Sequence, residues 1–268
     1  MRNILKYLFM LSFLLITVGC NTDELKPSMV EFDQAFIPVF YYAYIGDLES
    51  APKAMLVLDR KWDKLKTKFD NISGYTHNGL ESFQMIGNWL EEADAAIRNK
   101  DLPRALVQLD HARYELMDFR WREGMSYYLD KVWDLEAAID IVVQTSSDPM
   151  MDLIEWQEFI PMCYDVEEAW NEVLQTPLDE NLFGFTPSGR EVLEDRHSRL
   201  NYAILNFMTS IEYADNCKLA AAAKKMETAY LDYLYLFGDF ESSKSLFASI
   251  RGNELIDDIQ SADMMVNN

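Results

Sequence analysis

The sequence predicts an all-α protein built as two up-down four-helix bundle-like units in tandem. Three observations carry this. Glycine and proline are scarce, with ten and eight in 268 residues. Runs that alternate apolar and polar residues, the pattern of a half-buried strand, are absent. Apolar residues instead recur every three or four positions almost throughout, which places each set on one stripe of a helix. About half of the residues are apolar, enough to fill a real core.

The chain opens with MRNILKYLFMLSFLLITVGC. Arg2 and Lys6 make a basic start, residues 7–19 are almost wholly apolar, and Gly19-Cys20 closes the run. It is short for a membrane span and reads as a signal peptide over 1–19. The small residue before Cys20 resembles the lipobox of bacterial lipoproteins, although Thr17 stands where that motif usually carries Leu. The resemblance implies cleavage before Cys20 and acyl chains on its thiol and amine, and two or more chains make an anchor stable. The polar stretch NTDELKPS then suits a short lipidated tether over 20–29. Asp23-Glu24 also resembles the acidic export signal of some surface lipoproteins. The implied location is a bacterial cell envelope, on the outer membrane, at its periplasmic or surface face.

Four helices follow as a first unit over 30–122: 30–46, 50–70, 79–99 and 102–122. Met55, Leu58, Trp62, Leu65 and Phe69 form the stripe of the second. Leu80, Phe83, Gly87, Leu90, Ala93 and Ile97 form that of the third, and Leu102, Ala105, Leu109, Ala112, Leu116 and Phe119 that of the fourth. Intervals averaging 3.5 residues suit bundle seams. A second unit over 123–250 holds helices at 124–146, 149–175, 188–214 and 216–240, with a further short helix possible at 240–250. Gly124 weakens a helix without necessarily ending it, so 102–122 and 124–146 can run on as one rod. Pro161 is expected to kink 149–175. Residues 251–268 read as an acidic, flexible tail.

The second unit repeats the spacing of the first. His197, Leu200, Ile204, Phe207, Leu219, Met226 and Tyr233 each lie 117 residues after a stripe position of the first unit. Cys163, Val166, Trp170 and Val173 follow Met55, Leu58, Trp62 and Leu65 by 108. The nine-residue difference falls in the loop 176–189, longer than its partner 71–79. Such offsets are what an internal duplication leaves. The competing architecture is a helical solenoid: GDLESAPKAM (46–55) and KDLPRALVQL (100–109) resemble tetratricopeptide repeats, but they lie 54 residues apart rather than 34.

Chemistry is harder to find. His111 sits beside the stripe of 102–122 and reads as a boundary histidine. Glu194 and His197 have the Glu-x-x-His spacing of di-iron bundles, and they are the candidate metal ligands; the aligned positions 77–80 read HNGL, so a second copy is missing. Covalent haem needs a Cys-x-x-Cys-His motif that the chain lacks. Met55, Met208 and Met226 are inward methionines whose ordinary role is gap filling, so no cofactor is expected. Cys163 and Cys217 lie about 20 Å apart along an up-down bundle, too far for a bridge, and are expected as free buried thiols. Ser188 and Glu191 mark a helix N-terminus with a capping role. No Ser–His–Asp order and no Gly-rich phosphate loop can be assembled, so the protein is expected not to be an enzyme.

Tyr41, Tyr42, Tyr127 and Tyr128 are paired in sequence and cannot all face one core, which makes them candidates for lining a groove for a peptide or sugar. After residue 19 the chain carries 22 basic and 45 acidic residues, a net charge of −23. Such a surface repels nucleic acid and anionic lipid heads and favours basic partners or divalent cations. The expected function is a non-catalytic, lipid-anchored envelope protein that docks a protein or peptide partner. The alternative is a bundle carrying a metal or haem.

Overall fold

The computed structural model describes residues 20–72, 77–148, 156–211 and 216–242. Among them every regular element is helical and there is no strand. The helices are α1 (Cys20–Tyr44), α2 (Ser50–Asn71), α3 (His77–Arg98), α4 (Leu102–Arg122), α5 (Tyr128–Ser147), α6 (Trp156–Gln175), α7 (Pro187–Ile211) and α8 (Asn216–Leu234), followed by a 3-10 turn at Tyr235–Phe237. The signal peptide over 1–19 and the tail beyond 242 lie outside the described residues. None of these helices is long and apolar enough to cross a membrane.

The chain forms two compact units. One runs to Met125 and resumes at Asp239; the other is Ser126–Gly238. In the first, α1 packs on α2 and α4, and α3 packs on both as well, which closes a ring of four helices. Partners run in opposite directions along each seam. Glu31 meets Lys61 and Lys64, while Glu24 lies beside Lys68. The second unit closes likewise through α5–α6, α6–α7, α7–α8 and α5–α8. A solenoid would leave its first and fourth helices apart, so these rings exclude that alternative.

The predicted stripes form the cores. Leu58, Leu65, Leu109 and Ala105 are wholly buried, as are Cys163, Val166, Leu200 and Met226 in the second unit. Phe69 and Phe83 stack at 3.8 Å between centroids, with Phe119 edge-on to both. Two departures have a geometric cause. Leu80, at the start of its stripe, is exposed. In α8 and the 3-10 turn after it, Ala223, Tyr230 and Phe237 are buried, whereas Ala222, Ala229 and Leu236, which lie 117 residues after Ala105, Ala112 and Phe119 of the first unit's stripe, are half-exposed. A straight helix drifts about 20° per heptad against a 3.5-residue repeat, so the buried row steps over by one residue.

Three expectations are corrected. The segment 20–29 is not a loose tether but the start of α1, with Leu25, Ser28 and Met29 buried. The helix continues through Pro27 and Pro38 because Phe32, Phe36, Ile37 and Phe40 face the core, and burying them outweighs the hydrogen bonds the prolines forfeit. There is no continuous rod at Gly124. Its φ is +69°, its N–H donates to Trp121 O, and Met125 N–H donates to Arg120 O at 2.8 Å. This is a Schellman ending that only a left-handed residue permits, and α5 starts four residues later. Finally, the second unit does not extend to 250. Asp239 N–H donates to Gln34 O at 2.7 Å, and Phe240 is buried edge-on against Tyr41 and Tyr42.

The cores also hold polar groups. Arg120 of α4 and Asp33 of α1 form a buried ion pair at 3.5 Å. Cys163 is a buried free thiol, and burial, helped by the Asp165 carboxylate, pushes it up to about 12. The Cys217 side chain lies outside the described residues. Thr186, rather than Ser188, caps α7: its hydroxyl oxygen accepts the Gly189 N–H at 3.1 Å.

Candidate binding cleft in the second unit

The polar aromatic residues of the second unit gather near one end of the α6–α7 seam. A cleft of about 430 Å³ is lined by Val173, Leu174 and Thr176 at the end of α6, by Leu178 in the following loop, and by Leu193, Glu194, His197 and Ser198 of α7. Tyr128, the first residue of α5, and Tyr233, near the end of α8, close its floor.

Each side chain is placed by its stripe. His197 takes the position that Leu80 holds in the first unit, and Tyr233 that of Leu116. The second unit therefore puts polar rings at positions where the first has leucines. The His197 ring lies 4.9 Å from Trp170 and 6.1 Å from Tyr233. Trp170 is fixed in turn by its Nε1–H, which donates to Asn201 Oδ1 at 2.8 Å, one helical turn beyond His197. The Tyr128 and Tyr233 hydroxyls share a hydrogen bond of 2.5 Å inside the floor.

Burial sets the protonation states. It lowers the pKa of His197, because a charged imidazolium is poorly solvated there. It raises both phenols, Tyr128 against the opposing pull of its bond to Tyr233, and Tyr233 with help from the Tyr128 charge that ionisation would create. The cleft therefore offers neutral donors and acceptors, namely an imidazole, two phenols and the Thr176 and Ser198 hydroxyls, with the Glu194 carboxylate exposed at the rim. Such a set binds and orients polar groups through hydrogen bonds.

The predicted site residues separate. Glu194, His197 and Tyr128 meet in the cleft. Tyr127 does not line it; it is buried beside Phe183 at 6.0 Å. Tyr41 and Tyr42 belong to the other unit, where Phe240 packs against them, so they form no shared tyrosine groove. His111 is exposed, with its ring tilted against Trp89 at 4.7 Å. Among the described residues no group of three or more His, Cys, Asp or Glu gathers as a metal site, so Glu194 and His197 lack the rest of a di-iron ligand set. Tyr233 and Trp170 are functional candidates that sequence reasoning took only as core. The available signal was a phenol where the repeat has Leu116.

A second concavity, of about 470 Å³, lies toward the other end of the same seam. It is lined by Trp156, Ile160 and Tyr164 of α6 and by Leu205, Met208 and Ile211 of α7, with Glu167 and Thr209. Tyr164 and Leu205 are more than half exposed. No protein-family model, curated protein or solved structure matches this chain.

Proposed function

We propose that the protein is a lipid-anchored, non-catalytic envelope protein whose second unit binds a basic peptide segment of a partner along the α6–α7 seam. The observation that carries this reading is the seam itself. It holds a hydrogen-bonding cleft at one end and, toward the other, a groove lined by aromatic and aliphatic side chains with Glu167 and Thr209, within a unit of seven basic and 21 acidic residues. The span from Leu193 to Met208 along α7 is about 22 Å, enough for an extended segment of about seven residues. Aromatic anchors in a groove with a charged surround are the usual composition of a docking surface. Membrane attachment rests on the apolar leader and Gly19-Cys20.

The test is site-specific photocrosslinking in native membranes from Ser198 and, separately, from Thr209, both exposed at the seam. The expected result is one partner trapped from both positions and lost on Leu205→Asp or His197→Ala. Trapping of unrelated proteins from the two positions would overturn a shared seam. Radiolabelled palmitate on the wild type but not on Cys20→Ala tests the anchor.

A further inference from the structure

The second concavity of the α6–α7 seam carries a charge that its surroundings do not neutralise. α6 has five carboxylates, Glu158, Asp165, Glu167, Glu168 and Glu172, and no lysine or arginine. Among the described residues Glu172 alone of the five has an ion-pair partner, Lys131 of α5. The cations of α7 are engaged elsewhere. Arg190 binds Glu180 at 2.5 Å, Arg199 binds Asp195 at 2.9 Å, and Arg196 binds Asp232 of α8. The segments 149–155 and 212–215, which adjoin the start of α6 and the end of α7 in sequence, contain no lysine or arginine. Glu167 is the carboxylate of the five that lines the concavity. It is exposed, and no cation or hydrogen-bond donor meets its side chain among the described residues.

The walls around Glu167 suit one kind of cation. Tyr164 stands three residues before it on α6, so the two side chains are neighbours on the helix surface, about 5–6 Å apart at Cβ. The Tyr164 ring is more than half exposed and packs on no other ring among the described residues, which leaves a π-face open. Leu205 and Met208 of α7 form the opposite wall. A carboxylate beside an open ring selects a planar guanidinium. Such a group can lie over the ring and bind both carboxylate oxygens at once, and it sheds water more easily than an ammonium. The aliphatic stem of the same side chain would cover Leu205 and Met208.

We propose that Glu167 and Tyr164 form a subsite for an arginine side chain of the docked peptide. This rests on the peptide-binding reading above and names the residue that the seam selects. Charge complementarity sets the occupant, because the protein supplies the anion and the ring but no cation. Val173, beside the hydrogen-bonding cleft, lies six residues from Glu167 on α6, about 9 Å. The arginine would therefore sit about three residues of extended chain from the group held in that cleft.

The experiment uses the full protein, purified in detergent and isotope-labelled at its methionine methyl groups. It is titrated with three acetylated, amidated heptapeptides, Gly-Ser-Leu-Xaa-Leu-Ser-Gly, in which Xaa is arginine, lysine or citrulline. Citrulline keeps the shape of arginine without its charge. Binding is read from the Met208 methyl resonance, identified by its loss in Met208→Leu. The arginine peptide should bind about tenfold more tightly than the citrulline peptide and several-fold more tightly than the lysine peptide. Glu167→Gln should bring the arginine peptide to the citrulline level and leave the citrulline peptide unchanged. Tyr164→Leu should abolish the preference for arginine over lysine. Equal affinities of the arginine and citrulline peptides for the wild type, a comparison that needs no variant to fold, would overturn the subsite. So would an arginine affinity unchanged in Glu167→Gln, or no Met208 shift up to millimolar peptide. The photocrosslinking above tests the seam separately. A partner trapped from both Ser198 and Thr209, and trapped equally in Glu167→Gln, overturns the subsite and leaves the seam standing. Unrelated proteins trapped from the two positions overturn the seam, while the peptide titration still decides the subsite.

Discussion

Asp59 sits in an environment that its sequence position does not announce. It is a polar position on the flank of α2, yet it is half-buried opposite Asp94 of α3. Burial first, then the Asp94 and Asp63 charges, raise its pKa to about 6, against the help of Arg98. A carboxyl raised in the folded state stabilises only while it holds its proton. That contribution is complete below the unfolded value of 3.8 and lost as pH rises through about 6. Asp59→Asn should therefore stabilise the first unit by about 1–2 kcal/mol at neutral pH, after solvent screening, with the gain vanishing near pH 4. Thermal unfolding of both proteins across that range checks it. Lys100 is a second strained residue. It ends α3 at φ +61°, with Asp101 N–H bonded to Ala96 O at 2.9 Å, a geometry that favours glycine. Lys100→Gly should raise stability by about 0.5–1 kcal/mol in denaturant titration. Neither strain is visible in composition or spacing, because each is set by a backbone angle or by a neighbouring helix.

At the scale of elements, periodicity located the helices well and their ends less well. Stripes such as Leu102–Phe119 are strong signals because the buried face repeats five or six times. Ends depend on a single residue. Asp101 is legible as a cap, and its side chain accepts the Arg104 N–H at 3.2 Å. The left-handed Gly124 is legible only as an ambiguity. The first turns of α1 were missed because NTDELKPS is polar and contains a proline, while its buried Leu25 and Met29 are too few to set a period. The element most dependent on a partner is the same helix. Asp33 lies on it amid phenylalanines and forms a buried ion pair with Arg120 of α4. Asp33→Ala leaves a buried guanidinium charge and should cost about 3–5 kcal/mol, whereas Asp33→Leu combined with Arg120→Met should recover most of that loss. Denaturant midpoints of the three proteins provide the comparison.

At the scale of the whole molecule, the chain leaves its first unit at Met125 and returns to it at Asp239. Phe240 should therefore stabilise α1 rather than the helices that precede it in sequence. Phe240→Ala should cost about 3 kcal/mol. Hydrogen exchange should quicken at amides around Tyr41, while those around Trp170 keep their rates. By itself the sequence determined the helical class and the two sets of seams. These follow from where apolar residues recur along one chain. Tertiary structure decided which polar rings share a cleft and that Phe240 packs against Tyr41 and Tyr42. Each of these depends on which faces of distant segments meet, and a one-dimensional period carries no information about the neighbour opposite.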